Sequence, residues 1–263
     1  MGVPVEDKSI SVRGTEIHLL RAGSGEPVLF LHGAGGNASI MPFQEKLAEH
    51  FELWIPEHPG FGYSRDVSAV ETMEDLVFFY LDFLDEVGLD SFHLMGQSLG
   101  GWLAAELAVI FGRHRLRSLV LIDAVGIWLP EKPMADLFVL SDEEASTFLA
   151  YDKTKKAPPL TEEQLDLVLQ NRYRLAQLAW DPYLHNPHLR KRLHRIQVPT
   201  LIVWGENDPL VPLEYAYAWQ NGIAGAELAI IGRCGHTPTK EQPEAFIEAV
   251  LRFHSRLGMK LSS

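Results

Sequence analysis

The sequence is short of cysteine, of positive charge and of long apolar runs, and each shortage excludes something. A single cysteine, Cys234, permits no intramolecular disulfide and no Cys/Cys metal spacing. Only 23 basic residues face 35 acidic ones, a net charge of −12. A phosphate backbone or an anionic lipid surface would repel such a chain, which argues against nucleic-acid and membrane partners. No stretch approaches the roughly 18 uninterrupted apolar residues of a membrane-spanning helix. The opening Met1-Gly2-Val3-Pro4-Val5-Glu6-Asp7 lacks the basic-then-apolar run of a secretory signal. The expectation is a soluble, cytoplasmic protein. What is present is ordinary globular material, 46% hydrophobic and 22% charged over 263 residues. That composition suits one large α/β domain or two small ones and excludes bulk disorder.

Short apolar runs recur between helical-looking segments. Val28–Leu31, Glu52–Ile55, Phe92–Met95, Leu119–Ile122 and Leu201–Trp204 are too short and too continuously apolar to keep one wet face. They read as strands of a parallel sheet covered on both sides. Ser9–Arg21 alternates around Gly14 and predicts an antiparallel hairpin at one edge. Leu228–Ile231 is the last expected strand, and Pro243–Leu257 reads as a closing helix. This βα alternation predicts an open, mostly parallel sheet.

The rhythm stops between residues 124 and 198. Glu143–Ala150, Thr161–Trp180 and Leu189–Ile196 read as helices, punctuated by Pro130, Pro133, Pro158, Pro159, Pro182 and Pro187. Thr161-Glu162-Glu163-Gln164 has the pattern of a capping box. The expected organisation is a core of residues 1–123 and 199–263 with a helical lid, 124–198, inserted over the carboxyl edge of the sheet. Ligands bind at that edge in open α/β sheets. The alternative is an independent second domain, for which about 75 residues is a small core.

Gly96-Gln97-Ser98-Leu99-Gly100-Gly101 follows one expected strand and opens the apolar segment Trp102–Phe111. Strand, turn and helix are the context a G-x-S-x-G nucleophile elbow requires. The tight turn strains the serine backbone, projects the Ser98 hydroxyl above the sheet and sets the Leu99 amide at a helix N-terminus, where negative charge is favoured. His32-Gly33-Ala34-Gly35-Gly36 is a second glycine loop, from which the Ala34 amide is the other candidate oxyanion donor. A phosphate cradle is its rival reading, but the Lys-Ser/Thr of a Walker motif is missing.

The serine needs a base, and eleven histidines compete. His236 lies in the glycine-bearing loop after the final strand and can hang over the sheet edge. His18, His93, His114 and His254 belong to the hairpin, a strand, a helix end and the last helix. His185, His188 and His194 fall in the inserted segment, and the Pro187 between the first two disrupts a metal-like pair. Asp208, in Trp204-Gly205-Glu206-Asn207-Asp208-Pro209, is the orienting acid, with Glu206 and Asp123 as rivals. No metal, nucleotide or flavin motif is present, so no cofactor is implied.

HGAGG, Pro59-Gly60-Phe61-Gly62-Tyr63-Ser64, GQSLGG, WGENDPLVP and CGHTP stand in an order that resembles the α/β-hydrolase superfamily from Val28 to the final helix. Within it, the chain is most similar to small lidded carboxylesterases and to meta-cleavage-product C–C hydrolases. The resemblance implies an eight-stranded core with a helical cap, a Ser98–His236–Asp208 triad and oxyanion donors Ala34 and Leu99. It also implies two substrate-binding candidates. Arg172 matches the cap arginine that holds a substrate carboxylate in C–C hydrolases, and Gln97 matches their polar neighbour of the nucleophile, usually asparagine. Thr237 departs from the tryptophan that usually follows their catalytic histidine, and the glycine loop is shorter than theirs. The expectation is therefore a carboxylesterase acting on a small-molecule ester, with C–C hydrolysis as the alternative. A hydrolase-fold receptor that binds small molecules without turnover is the alternative of another class. Trp128, Leu129, Met134, Leu137, Phe138, Phe148, Leu149 and Tyr151 are the expected apolar lining.

Overall fold

Every apolar run named above becomes a strand of one sheet. The computed structural model describes residues 3–65, 70–154 and 160–258. Pro158 and Pro159 lie outside the described residues. Along the chain run β1 (Val5–Val12), β2 (Thr15–Ala22), β3 (Glu26–Leu31), α1 (Pro42–Leu47), β4 (Phe51–Pro56), α2 (Met73–Glu86), β5 (Phe92–Gln97) and α3 (Leu99–Phe111). There follow β6 (Leu116–Ile122), α4 (Asp142–Leu149), α5 (Glu162–Ala179), β7 (Thr200–Gly205), α6 (Leu213–Gly222), β8 (Glu227–Ile231), α7 (Pro238–Glu241) and α8 (Pro243–Arg256). The eight strands pair in the order β1-β2-β4-β3-β5-β6-β7-β8. β2 runs antiparallel to both neighbours, and the remaining pairs are parallel.

The strands alternate between two buried faces. Leu29, Leu31, Leu94, Leu119, Leu121, Ile202 and Trp204 join one apolar cluster with α2 and α3. Val28, Phe30, Met95, Val120, Ile122, Leu201 and Val203 join the other with α1 and α8. A period of two in side-chain direction thus supplies both halves of the core from the same runs. The registers Leu31↔Gly96, Gln97↔Ile122 and Ile122↔Val203 bring the carboxyl ends of β3, β5, β6 and β7 close together.

Within residues 124–198, α5 is bonded to loops at that carboxyl edge. Thr161 caps α5 reciprocally: its Oγ1 accepts the Gln164 amide at 3.2 Å, and Gln164 Oε1 accepts the Thr161 amide at 3.0 Å. Asn171 on this helix donates to the Gly35 carbonyl at 3.1 Å and accepts the Gly62 amide at 2.9 Å. Gln170 donates to the carbonyls of Gly60 and Gly62. The segment is therefore fastened to the loops after β3 and β4. One expected helix differs, because Leu189–Arg195 winds as a 3₁₀ turn.

Several histidines are buried. His93 sits 2% exposed beside the Ser118 hydroxyl, to which its Nδ1 is bonded at 2.7 Å. Burial, assisted by His254 and Arg117, pushes its pKa from 6.5 down to about 3. Burial likewise lowers His32, His58 and His254. Between the ordinary value and the depressed one, the unfolded chain binds protons that the folded chain refuses. Stability therefore falls as pH drops below 6.5. His93→Asn, which keeps a polar atom opposite Ser118, should flatten that slope by about 1.4 kcal/mol per pH unit. Urea midpoints taken across the interval measure this; parallel slopes in the two proteins would contradict it.

Candidate active site

Ser98 has φ 54° and ψ −115°, between the end of β5 and the start of α3. A non-glycine residue in this region is strained and persists only where its surroundings force it. The forcing comes from backbone packing. A Cβ at Gly96 would overlap the Gly100 carbonyl, and a Cβ at Gly100 would overlap the carbonyls of Leu31 and His32. Only glycine at both positions lets α3 start this close to β3 and β5. The Ser98 amide donates to the Ile122 carbonyl at 2.8 Å, tying the turn to β6. Leu99 opens α3, where the first amides have no partner within the helix.

His236 Nε2 lies 2.9 Å from Ser98 Oγ, and His236 Nδ1 lies 2.7 Å from Asp208 Oδ2. A carboxylate only accepts, so Nδ1 carries the hydrogen and Nε2 is left to accept from the serine hydroxyl. Asp208 Oδ1 accepts the amides of Leu210 and Val211 at 2.8 and 3.0 Å. Both His236 and Asp208 are buried, whereas the rival Glu206 is exposed. The other rival, Asp123, is fully buried beside Asp208 and accepts the Gly205 amide at 2.9 Å. Four other histidines are engaged elsewhere: His18 with Glu57, His58 with Tyr80 and the His32 carbonyl, His93 with Ser118, and His185 with the Tyr183 carbonyl. Asp123, Asp208 and His236 offer ligand atoms within 4.8 Å of one another, a geometry a metal could use. His236 is also bonded to Ser98, and Asp208 to two amides. Such an arrangement can deprotonate a hydroxyl and return the proton to a leaving group.

Residues 28–249 match the model of the alpha/beta hydrolase family. The chain belongs to the α/β hydrolase family. It is 28% identical over 268 residues to a 2-hydroxy-6-oxo-2,4-heptadienoate hydrolase of Pseudomonas putida, an alignment spanning 91% of this chain and 93% of that one. It is 27% identical to a 2-hydroxy-6-oxo-6-phenylhexa-2,4-dienoate hydrolase of Comamonas testosteroni, over 90% of each. Among solved structures, a bacterial membrane phospholipase A superposes with a TM-score of 0.81 at 24% identity, covering 97% of this chain and 87% of that one. That likeness concerns the fold.

In this α/β hydrolase the expected flanking residues take definite places. Gly33 lies beside the nucleophile, with the site of its missing Cβ 3.2 Å from Ser98 Cβ, and Ala34 follows it in a turn closed by Gly36 N–H to Gly33 O at 3.1 Å. Gln97 Oε1 accepts from Thr239 Oγ1 at 3.0 Å. Arg172 Nη2 donates to the carbonyls of Phe138 and Leu140, within the inserted segment itself. Leu129 and Met134 are buried in the core cluster, with Trp128, Leu137, Phe138, Phe148 and Leu149 packed against it. Trp128 stacks on His185 at 5.3 Å, and Phe138 contacts Trp180 and Tyr183. Tyr151 is 42% exposed.

Sequence reasoning missed Glu241. Its Oε1 accepts from the amides of Gly235 and Thr237 and from Thr237 Oγ1, at 3.2, 3.2 and 3.1 Å. Its Oε2 accepts the Tyr151 amide at 2.7 Å. One carboxylate on α7 thus grips the chain on both sides of His236 and the segment after α4. The only signal available was an acid five residues past the histidine, which by itself reads as a solvated helix residue. Glu241→Ala should slow labelling of Ser98 by a fluorophosphonate on the order of tenfold or more, because a misplaced base loses near-attack geometry. Circular dichroism should show the fold retained. Labelling at the wild-type rate would reduce Glu241 to a surface acid.

Proposed function

We propose that the protein is a serine hydrolase in which Ser98 is the nucleophile, His236 the general base and acid, and Asp208 the orienting acid. The relay Ser98–His236–Asp208, at 2.9 and 2.7 Å, is the observation that carries this reading. Ser98 Oγ adds to a carbonyl carbon as its proton passes to His236. The resulting oxyanion accepts from the Ala34 and Leu99 amides. Collapse leaves an acyl-Ser98 and a leaving group that takes the proton from His236. Water, deprotonated by His236, then releases the acid.

The substrate class supported best is the vinylogous 1,5-diketone acid, the class named by the relatives that span nine-tenths of the chain. In such an acid the attacked carbonyl is the 6-oxo group. The bond that breaks joins it to the conjugated carbon chain, which accepts the electron pair once the 2-hydroxydiene is in its 2-oxo form. The proton from His236 completes that fragment, so the sum is one water added across a C–C bond. Carboxylic-ester hydrolysis is the second reading. It is favoured by Arg172, whose guanidinium is committed to two carbonyls of its own segment, and by Thr237 after the base. The inserted residues 124–198 act as a lid in either case.

Four measurements test this. Ser98→Ala should lose all fluorophosphonate labelling, and Asp208→Asn should lose on the order of 10⁴ in kcat through the wrong histidine tautomer. Purified wild type should turn over a 2-hydroxy-6-oxo-dienoate with a higher kcat/KM than a neutral aryl ester. Arg172→Ala should then raise KM for the acid and leave the ester untouched, since only the acid has a carboxylate for a guanidinium to grip. Fast ester hydrolysis with slow dienoate cleavage, indifferent to Arg172, would assign the carboxylesterase reading. Binding of either compound without multiple turnover would overturn both.

A further inference from the structure

Asp123 ends β6 beside the relay, and the acyl transfer proposed above gives it no part. Its residue is 0% exposed, and its φ of 42° lies in the left-handed region. Oδ1 accepts the Gly205 amide, while Oδ2 is buried with no donor on it among the described residues. The complement of that oxygen is another acceptor, because a carboxylate oxygen of Asp208 lies within 4.8 Å of one of Asp123. Two acceptors satisfy each other only if one carries a proton. Two carboxylates this close, away from water, do not both ionise.

The surroundings decide which one holds the proton. Asp123 is faced by Asp208 from the loop after β7, by His236 and Cys234 from the loop after β8, and by Glu241 from α7. The acids in this set oppose a negative charge on Asp123, and burial pushes the Cys234 thiol up, so it stays neutral. Asp208 accepts three N–H groups, from Leu210, Val211 and His236, and Asp123 accepts one. Hydrogen bonds to the charged form favour it, so Asp208 is the ion. Burial first and the Asp208 charge second raise the Asp123 carboxyl well above its ordinary range.

We propose that Asp123 is a neutral carboxylic acid that donates its Oδ2 proton to Asp208 and so acts as a positioning residue for the relay. The proposal rests on reading Asp208 as the orienting acid. Accepting a fourth hydrogen bond spreads the Asp208 charge and fixes its plane toward His236. Without that donor, the Asp208 charge would act on His236 undivided.

The test separates the proton from the activity. Wild type labelled with carbon-13 aspartate should show the carbonyl stretch of a protonated carboxylic acid at neutral pH. That band should disappear in Asp123→Asn and persist in the inactive Ser98→Ala. In the pH profile of kcat/KM, Asp123→Asn should keep the wild-type acid limb, because its amide N–H replaces the O–H and asparagine tolerates positive φ. Asp123→Gly, relaxed at that φ but without a donor, should move the limb about one unit toward higher pH. Absence of the band overturns the proposal. So does a limb that moves to lower pH in both variants, as loss of a negative charge beside His236 requires, or one that coincides in all three proteins. Full turnover by Asp208→Asn would instead remove the relay reading, while the band would still report the proton on Asp123.

Discussion

The active edge depends on backbones meeting backbones. At the elbow, Gly96 and Gly100 let the first turn of α3 lie against the ends of β3 and β5. The same device recurs where acid and base meet. A Cβ at Gly205 would overlap the Gly235 carbonyl, and one at Gly235 would overlap the Leu149 carbonyl. The chain segments carrying nucleophile, acid and base are thus held at van der Waals distance by main-chain atoms. Main-chain contacts have no rotamers to relax, so the side-chain distances of the relay follow from the sheet register more than from side-chain packing. The strain at Ser98, Asp123 and Arg233, all non-glycine residues with positive φ, falls at the ends of β5, β6 and β8.

Carboxylates then fasten the loops that the glycines admit. Glu57, after β4, accepts His18 Nδ1 at 2.9 Å, the Tyr63 amide at 2.7 Å and the Asn37 amide at 3.1 Å. Burial alone would raise its pKa, but His18 and the amides hold it below the ordinary range, and Glu57 in turn raises His18. That cluster joins β2 to the loops after β3 and β4. Asp208 gathers its own loop by two amides, and Glu241 gathers the His236 loop. An anion accepting several backbone N–H groups is strongly bound and rigid. In an acidic protein, these carboxylates are held by main-chain amides and by two histidines, His18 and His236, with no lysine among those partners.

The strands, their parallel pairing and the edge hairpin were legible because each run's apolar continuity reports burial on two faces. The meeting of Ser98, Asp208 and His236 was legible because chain order and the strand–turn–helix context restrict which side chains reach one edge. Local signals could not separate Asp208 from Glu206 by distance. The structure separates them by burial, since the turn that aims Asp208 inward exposes Glu206. Glu241 and Glu57 were illegible for another reason: most of their partners are backbone amides that folding brings together, and an amide leaves no mark in the sequence. The 3₁₀ turn at Leu189–Arg195 shows the limit of apolar spacing, which cannot tell one helical pitch from another over two turns.

The inserted segment is not independent of the base it covers. The His236 amide donates to the Leu149 carbonyl at 2.9 Å, and Glu241 ties the Tyr151 amide to the same loop. Any substrate that shifts the end of α4 therefore pulls on the chain that carries the base. At its other end the segment is bolted by Asn171 to Gly35 and Gly62, beside the glycine loop that holds Ala34. One insertion thus touches the loop that holds Ala34 and the loop that holds His236, but from different helices, α5 and α4. Contacts made with the insertion away from Ser98 are therefore coupled to the geometry around Ser98 and His236, which is how binding energy remote from a reacting centre can be used at it.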